Sequence, residues 1–319
     1  MEVLPDAGAL FARADTHDLV VVAAPNREHA PLGLAVVEAG LHLVVDKPLA
    51  ASVADAERLE EAAASRGVVA SVFHNRRWDG DFLTLKRLVS EGSLGEPVRL
   101  ESRLDRWRPE VDVSKWREGG APEEAGGLLF DLGPHLIDQA LDLLGPARSV
   151  YAEVRALRPG AEVDDDVFLG LEHASGVRSQ LWATMLAAQP GPRLRVLGSR
   201  AAYVKWGLDV QEEALRAGAR PGDPGFGEEP PEAWGLLGTE EDAQPVQTEP
   251  GRYVGFYERM EQAVRAVASP AAEPPTDAAP AAPPVPPAAP PVPLAAGIAT
   301  LRVIEAARAS AAQRVVVPL

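Results

Sequence analysis

Three short apolar runs within the first 75 residues, separated by segments of helical spacing, restrict the fold more than anything else in the chain. Asp18-Leu19-Val20-Val21-Val22-Ala23-Ala24 is closed by Pro25-Asn26, Leu41-His42-Leu43-Val44-Val45 by Asp46-Lys47-Pro48, and Val68-Val69-Ala70-Ser71-Val72-Phe73 by His74-Asn75-Arg76-Arg77. Continuous β-branched runs of this kind predict strands buried on both faces. Between them, Glu28 to Ala39 has apolar residues at helical spacing and ends at Gly40. Val53 to Ser65 is a second helix, with Ser52 as its N-cap and Gly67 as its stop. Strand, helix, strand, helix, strand with short connections means a parallel sheet with right-handed crossovers. Ligands collect at the carboxyl ends of such strands. Those ends carry the polar residues Asn26, Lys47 and His74 to Arg77.

A dinucleotide-binding sheet ordinarily carries G-x-G-x-x-G after its first strand. The pair Gly225 and Gly227 has the initial spacing, but position 230 is Pro230. Neither that fingerprint nor G-x-x-x-x-G-K-[ST] occurs. Either the fold is of another kind, or the chain begins after that element.

The 319 residues suggest two domains, and the formal net charge of −16 argues against a nucleic-acid partner. With no cysteine, disulfide frameworks and thiol chemistry are excluded. The first residues, Met1-Glu2-Val3-Leu4-Pro5-Asp6, lack the basic start and apolar core of a signal peptide. Ala278 to Leu301 is uncharged, but its eight prolines rule out a membrane-spanning helix and predict a polyproline-type loop. A cytoplasmic protein handling a small molecule is the expectation.

The stretch Gly126 to Gly145 reads mostly as one helix, interrupted or kinked near Pro134. On it Asp131, His135 and Asp138 stand at i, i+4 and i+7 and share one face. A carboxylate one turn from a histidine can fix its tautomer, as a general base requires. The same spacing suits a solvated polar face with a satisfied histidine. A metal site has no evident fourth ligand, and none is expected. Lys47 is either a turn residue or, from its place at the ligand-binding edge, a functional one. His29 is a cap neighbour or a cofactor contact, and Arg76 and Arg77 read equally well as surface charge.

From Glu96 onward the pattern turns to alternating strands. Val98 to Asp105, Ser149 to Leu157, Asp166 to His173, Val177 to Ala188, Arg193 to Leu197 and Ala201 to Val204 predict an open, mainly antiparallel sheet. The Asp131/His135 helix should pack on it with its polar side toward the first domain, leaving a cleft between the two. Gly207 to Pro250 reads as a long surface excursion, and helices are predicted over Arg252 to Val267 and Ala295 to Ala311. The fold class is α/β: an incomplete Rossmann-like sheet followed by an α+β domain. The divisions are a partial dinucleotide-binding domain (1–75), a substrate and oligomerisation domain (76–269), a proline-rich loop or linker (270–294), and a C-terminal helix and tail (295–319).

Three ordered motifs resemble the glucose–fructose oxidoreductase/inositol dehydrogenase (Gfo/Idh/MocA) family. They are Ala24-Pro25-Asn26-x-x-His29-x-Pro31, Asp46-Lys47-Pro48, and Gly126-Gly127-x-x-x-Asp131-x-Gly133-x-His135-x-x-Asp138. Phe73 to Phe82 and Asp105 to Val111 are similar to the branch of NADP-dependent scyllo-inositol dehydrogenases. Relative to that family the chain opens near the third strand, without roughly 60 residues that carry the glycine loop. A start-site error or a true truncation would account for this. Either way, Leu19 to Ala24 would be a bare hydrophobic edge.

The resemblance implies oxidation of a sugar or polyol hydroxyl, with hydride passing to NADP or NAD. It makes His135 the general base, has Lys47 polarise the same oxygen, and has Asp131 orient the substrate or the histidine. Pro25, Asn26, His29, Asp46, Lys47, Pro48 and Asn75 would line the cofactor, with Trp116 sheltering its nicotinamide end. Arg76 and Arg108, with Asp131 and His135, would face a neutral substrate. A homodimer or tetramer, paired through the open sheet face, is also implied. Two other readings stay open: a non-catalytic remnant that binds a sugar or protein partner without nucleotide, and, more distantly, a metal-dependent hydrolase using Asp131, His135 and Asp138.

Overall fold

The structure, a computed structural model, describes residues 2–112, 114, 116–119, 124–268 and 289–319. A short helix, α1 (Ala7–Phe11), is capped by Asp6 and leads into β1 (Leu19–Val22). The units α2 (His29–Glu38), β2 (His42–Asp46), α3 (Val53–Arg66) and β3 (Ala70–Phe73) follow. The three strands form a parallel sheet in the order β1-β2-β3. Leu43, Val44 and Val45 at its centre are fully buried, as a parallel strand covered by helices requires. The Ser52 hydroxyl accepts from the Asp55 N–H, and Gly67, at φ +65°, ends α3 in the left-handed region. β1 is an edge strand: β2 flanks it on one side, and Val21 is 46% exposed.

A tight turn at Asn75–Trp78 leads out of this sheet to α4 (Gly80–Ser90) and β4 (Pro97–Asp105). Next come α5 (Trp116–Gly119), α6 (Leu128–Asp131) and α7 (Gly133–Leu144). The chain continues through β5 (Ala147–Arg155), β6 (Asp166–His173), β7 (Arg178–Thr184), β8 (Leu194–Gly198) and β9 (Ala202–Lys205). It ends with α8 (Gln211–Arg216), β10 (Gly235–Gly238), β11 (Gln244–Val246), α9 (Val254–Ala268), α10 (Leu294–Gln313) and β12 (Val317–Pro318). The second sheet runs β11-β10-β9-β8-β4-β7-β6-β5-β12, and among the described residues only β4 and β7 pair parallel. Period-two alternation buries Val167, Leu169 and Leu171 on one face. The other face carries an aromatic row: Tyr151 to Phe168 at 6.4 Å between centroids, Phe168 to Trp182 at 5.3 Å, and the Arg103 guanidinium 3.9 Å from the Trp182 ring.

Two expectations need correction. The stretch from Gly126 to Gly145 is two helices, not one, parted at Leu132 (φ −105°). Pro134 lies in the first turn of α7, where its missing N–H costs nothing, so the break falls just before it. The excursion from Gly207 to Pro250 is also structured in part. It contains α8, and the hairpin β10–β11 extends the sheet beyond β9. Strands of four and three residues among glycines and prolines leave too short a pattern to read.

Most of the proline-rich tract lies outside the described residues. Its end is anchored to the first sheet, where Ser71 Oγ donates to the Val292 carbonyl at 2.8 Å and accepts from the Val292 N–H at 3.2 Å. From there α10 packs against α3, α7 and β5, so one helix touches both sheets. No helix among the described residues is long and apolar enough to cross a membrane.

Candidate active site

Asn26, Lys47 and His74 follow the carboxyl ends of β1, β2 and β3, the edge of a parallel sheet where loops diverge and leave room for a ligand. The Lys47 backbone N–H donates to the Asp46 carboxylate (2.8 Å), and the Lys47–Pro48 peptide bond is cis. The Lys47 side chain, 11% exposed, crosses to the break between α6 and α7. There Nζ donates to the Asp131 carbonyl oxygen at 2.7 Å and to Asp131 Oδ1 at 3.0 Å. The carbonyl can accept because it belongs to the last turn of α6, where intrahelical partners run out. An ammonium group has three N–H donors, so one is left for another oxygen.

His135, in the first turn of α7, is buried, and its Nδ1 has no hydrogen-bond partner among the described residues. Burial, together with the charges of Lys47 and Arg76, holds its pKa well below the ordinary imidazole value. His74 is 1% exposed, with both ring nitrogens buried and, among the described residues, unbonded, and Nε2 3.7 Å from Asp138 Oδ1. Burial lowers its pKa too, partly opposed by Asp138. Both rings are therefore neutral near pH 7, and each keeps a lone pair. Asp131 behaves oppositely. Burial alone would raise its carboxyl, but the charges of Lys47 and Arg117, the Lys47 hydrogen bond and the charge of Arg106 bring it below its ordinary range.

The expected pairing of a helix carboxylate with His135 is not what forms. Asp131 turns to Lys47, because the break at Leu132 takes it off the α7 face. Asp138 is gripped by Arg77 through Nε (2.8 Å) and Nη2 (2.7 Å), while Arg77 Nη1 meets Asp142 at 2.7 Å. Among the described residues no group of three His, Asp or Glu side chains is arranged to hold a metal ion.

The other expected residues are placed as follows. Asn26 is buried and donates from Nδ2 to the Ala125 carbonyl at 2.7 Å, tying the first strand end to the loop before α6. His29 lies between two carbonyl oxygens, Pro48 at 2.6 Å from Nδ1 and Ala24 at 2.9 Å from Nε2, and so clamps the first strand end to the second. Pro25 is exposed, Pro48 buried, and Asn75 half-buried at the start of its turn. Trp116 belongs to α5, and its side chain lies outside the described residues. Arg76 is buried, with Nη1 3.0 Å from Asp79 and Nη2 2.8 Å from Glu212, so both terminal nitrogens are held inside the protein. Arg108 is exposed.

A cavity of about 530 Å³ opens beside Asp131, lined by Arg106, Arg108, Arg117, Arg158, Val163 and Met185 among others. Arg106 Nη1 is 3.9 Å from Asp131 Oδ2, and Arg117 Nε 3.5 Å from Oδ1. Arg106 and Arg117 were not among the residues expected at the site, and His74 was placed at its edge without a role. The position of His74 directly after the third buried run was the available signal. Gly127, at φ +85°, lets the backbone pass against Asp164, whose carboxylate a Cβ would overlap. That approach permits Asp164 to accept from the Leu129 N–H at 2.7 Å and hold the start of α6.

Comparison with known proteins supports this fold. Residues 2–74 match the family described as an oxidoreductase family with NAD-binding Rossmann fold, and residues 82–204 match the GFO/IDH/MocA C-terminal domain. The chain is 44% identical over 257 residues to the uncharacterized oxidoreductase YdgJ of Escherichia coli (strain K12), covering 77% of this chain and 71% of that protein. It is 38% identical over 252 residues to the scyllo-inositol 2-dehydrogenase (NADP(+)) IolW of Bacillus subtilis (strain 168), covering 78% and 69%. A solved oxidoreductase structure from Yersinia pestis superposes with a TM-score of 0.85 at 37% identity, covering 99% of this chain and 83% of that one. The unbonded buried nitrogens of His74 and His135 beside Lys47 fit the nicotinamide end of such a cofactor. The sequence holds no glycine-rich turn for its diphosphate, and no residue is assigned to that part. Fold, motifs and relatives agree that the chain belongs to the Gfo/Idh/MocA family of NAD-binding oxidoreductases.

Proposed function

We propose that the protein is an NADP- or NAD-dependent dehydrogenase that oxidises a hydroxyl group of a sugar or an inositol-like cyclic polyol. The observation that carries this reading is the Lys47 ammonium group. Two of its hydrogens are fixed on Asp131 and the third meets no acceptor among the described residues, with the neutral, buried His135 close enough for the Lys47 charge to act on it. The bound nicotinamide ring supplies the hydride acceptor. Pro25, Asn26 and His29 from the first strand end, Asp46, Lys47 and Pro48 from the second, and Asn75 from the third would hold it, and Trp116 would shelter it.

Lys47 donates its third N–H to the substrate oxygen and stabilises the negative charge that grows as the O–H bond breaks. The His135 lone pair takes the proton. A ring whose pKa is held low is a weak base, so the acidifying effect of Lys47 on the hydroxyl is what makes the transfer feasible. Asp131 keeps Lys47 in place. Removing one charge-stabilising donor costs about 10²–10³ in turnover. Lys47→Ala and His135→Ala should each lower kcat at least that far, read as the appearance of reduced nicotinamide. Retained activity in either variant would sink the assignment.

The cavity of about 530 Å³ beside Asp131 also suits a second reading, a non-catalytic remnant that binds a sugar or protein partner without nucleotide. Calorimetry with NADP and with NAD separates the two, because tight binding of either rejects the remnant. The aromatic row from Tyr151 to Trp182 supports pairing of two copies through the open sheet face, to be checked by sedimentation.

A further inference from the structure

We infer that the substrate of this site carries an anionic group, a carboxylate or a phosphate ester, held by Arg106 and Arg108. The inference rests on the dehydrogenase reading above and narrows its substrate class.

The cavity beside Asp131 is cationic in a chain whose net charge is −16. Lys47, Arg106 and Arg117 all turn toward the single carboxylate of Asp131, at 3.0, 3.9 and 3.5 Å. One negative charge does not neutralise the two of Lys47 and Arg106. The other carboxylates of the cavity are engaged elsewhere. Asp164 accepts from the Leu129 N–H and is pushed up to about 6, mainly by burial. Glu118 meets Arg158 Nη1 at 3.1 Å, and Arg158 Nε meets Asp165 at 2.9 Å. Arg158 is therefore a structural ion pair, and its Nη1 also holds the Arg108 and Glu110 carbonyls.

Backbone geometry aims two arginines the same way. Beyond β4 the chain stays extended against residues 184–187: Arg106 N–H donates to the Thr184 carbonyl and Arg108 N–H to the Met185 carbonyl, at 2.9 and 2.8 Å. Successive side chains of an extended segment alternate, so Arg106 and Arg108 share one side and Trp107, 56% exposed, takes the other. Both arginines line the cavity. Among the described residues no carboxylate lies in ion-pair distance of the Arg108 guanidinium. Burial, with the charges of Arg108 and Arg76, pulls the Arg106 guanidinium below its ordinary value against the opposing charge of Asp131. Two guanidinium groups on one wall, short of counter-charge, have the planar paired donors that recognise carboxylate and phosphate oxygens.

The test is calorimetry on the full chain without nucleotide, at fixed ionic strength. D-Glucuronate and D-glucose 6-phosphate are compared with D-glucose and myo-inositol, and inorganic phosphate serves as control. At least one sugar anion should bind ~10-fold or more tighter than its neutral counterpart, and the better of the two identifies carboxylate or phosphate. A hydrogen bond to a charged group corresponds to about 10–100-fold in affinity. Arg108→Gln, at an exposed position, and Arg106→Gln should each lower anion affinity about that much and narrow the gap between the sugar anions and the neutral sugars. Arg265→Gln, an exposed change on α9, should do nothing. Equal binding of neutral sugars, a preference that survives both arginine variants, inorganic phosphate binding as tightly as the sugar anion, or no anion binding overturns the inference. Nicotinamide reduction is scored separately. Anion binding without hydride transfer removes the dehydrogenase reading and leaves the anion site, whereas turnover confined to neutral polyols does the reverse.

Discussion

Asp138 is the residue whose meaning changed most between sequence and structure, and replacing it gives a quantitative test. Its carboxylate is 3% exposed and accepts two charge-assisted bonds from Arg77, itself 16% exposed. Asp138→Leu strands a largely buried guanidinium. Breaking one half of a buried ion pair costs about 3–5 kcal/mol. Arg77 keeps Asp142 at 2.7 Å, which places the loss at the lower end, about 3 kcal/mol. For 319 residues, with an unfolding entropy of about 0.67 kcal/mol/K, that is a fall in Tm of about 4–5 °C. The double variant Arg77→Met/Asp138→Leu replaces both charges with apolar groups and should recover most of the loss, to within about 1 kcal/mol of the parent. Asp142 still has Lys86 at 2.7 Å in that variant. Thermal unfolding of the parent, both single variants and the double completes the cycle. If Asp138→Leu melts within about 1 °C of the parent, or the two single losses simply add, the pair is not the buried clamp described above.

Two further outcomes are expected. Burial keeps His74 and His135 neutral in the folded chain, whereas the unfolded chain takes up protons near pH 6.5. Their contribution to stability is therefore full above about pH 6.5 and is lost as pH falls below it, at a limit of about 1.4 kcal/mol per pH unit per histidine. Urea unfolding at about pH 7 and about pH 5.5 should show a shallower fall in His135→Gln than in the parent; an unchanged slope refutes the neutral-ring assignment. Ser71→Ala removes the hydroxyl that both donates to and accepts from Val292 and leaves a buried N–H unpaired, so about 2 kcal/mol should be lost in thermal unfolding. A loss under about 0.5 kcal/mol would mean that the segment before α10 is not held there.

The first sheet was legible because every cue agreed locally: β-branched runs, the Ser52 cap and the Gly67 stop, all within a few residues of what they determine. Strands β4 to β9 were legible through their period of two, but their order was not. β4 pairs parallel with β7 and antiparallel with β8, choices made by chain segments far apart in sequence. At the site, Lys47 and His135 stood out by position. The partner of Lys47 did not, since Asp131 is 84 residues away and reaches it only because the helix breaks at Leu132. Neither could the sequence sort Arg76 from Arg77. Adjacent and chemically identical, they diverge at the turn, one into Asp79 and Glu212, the other into Asp138.

That divergence explains how His135 is held without a carboxylate of its own. Its Nδ1 makes no hydrogen bond, so the ring owes its position to the helix that carries it. One turn further along α7, Asp138 fastens the helix to Arg77, and Gln139 Nε2 donates to the Arg76 carbonyl at 2.8 Å. Gln139 Oε1 in turn accepts from Arg193 Nη2 at 2.6 Å, and Arg193 Nη1 donates to Ser102 of β4 at 2.5 Å. The helix is thus clipped to the turn leaving the first sheet and to the centre of the second. Residues three and four positions along a helix share the face of the first, so these clips fix the bearing of the His135 ring as well as its height. A histidine oriented in this way keeps its Nδ1 unbonded among the described residues, which is what a group that must accept a proton from a bound hydroxyl requires.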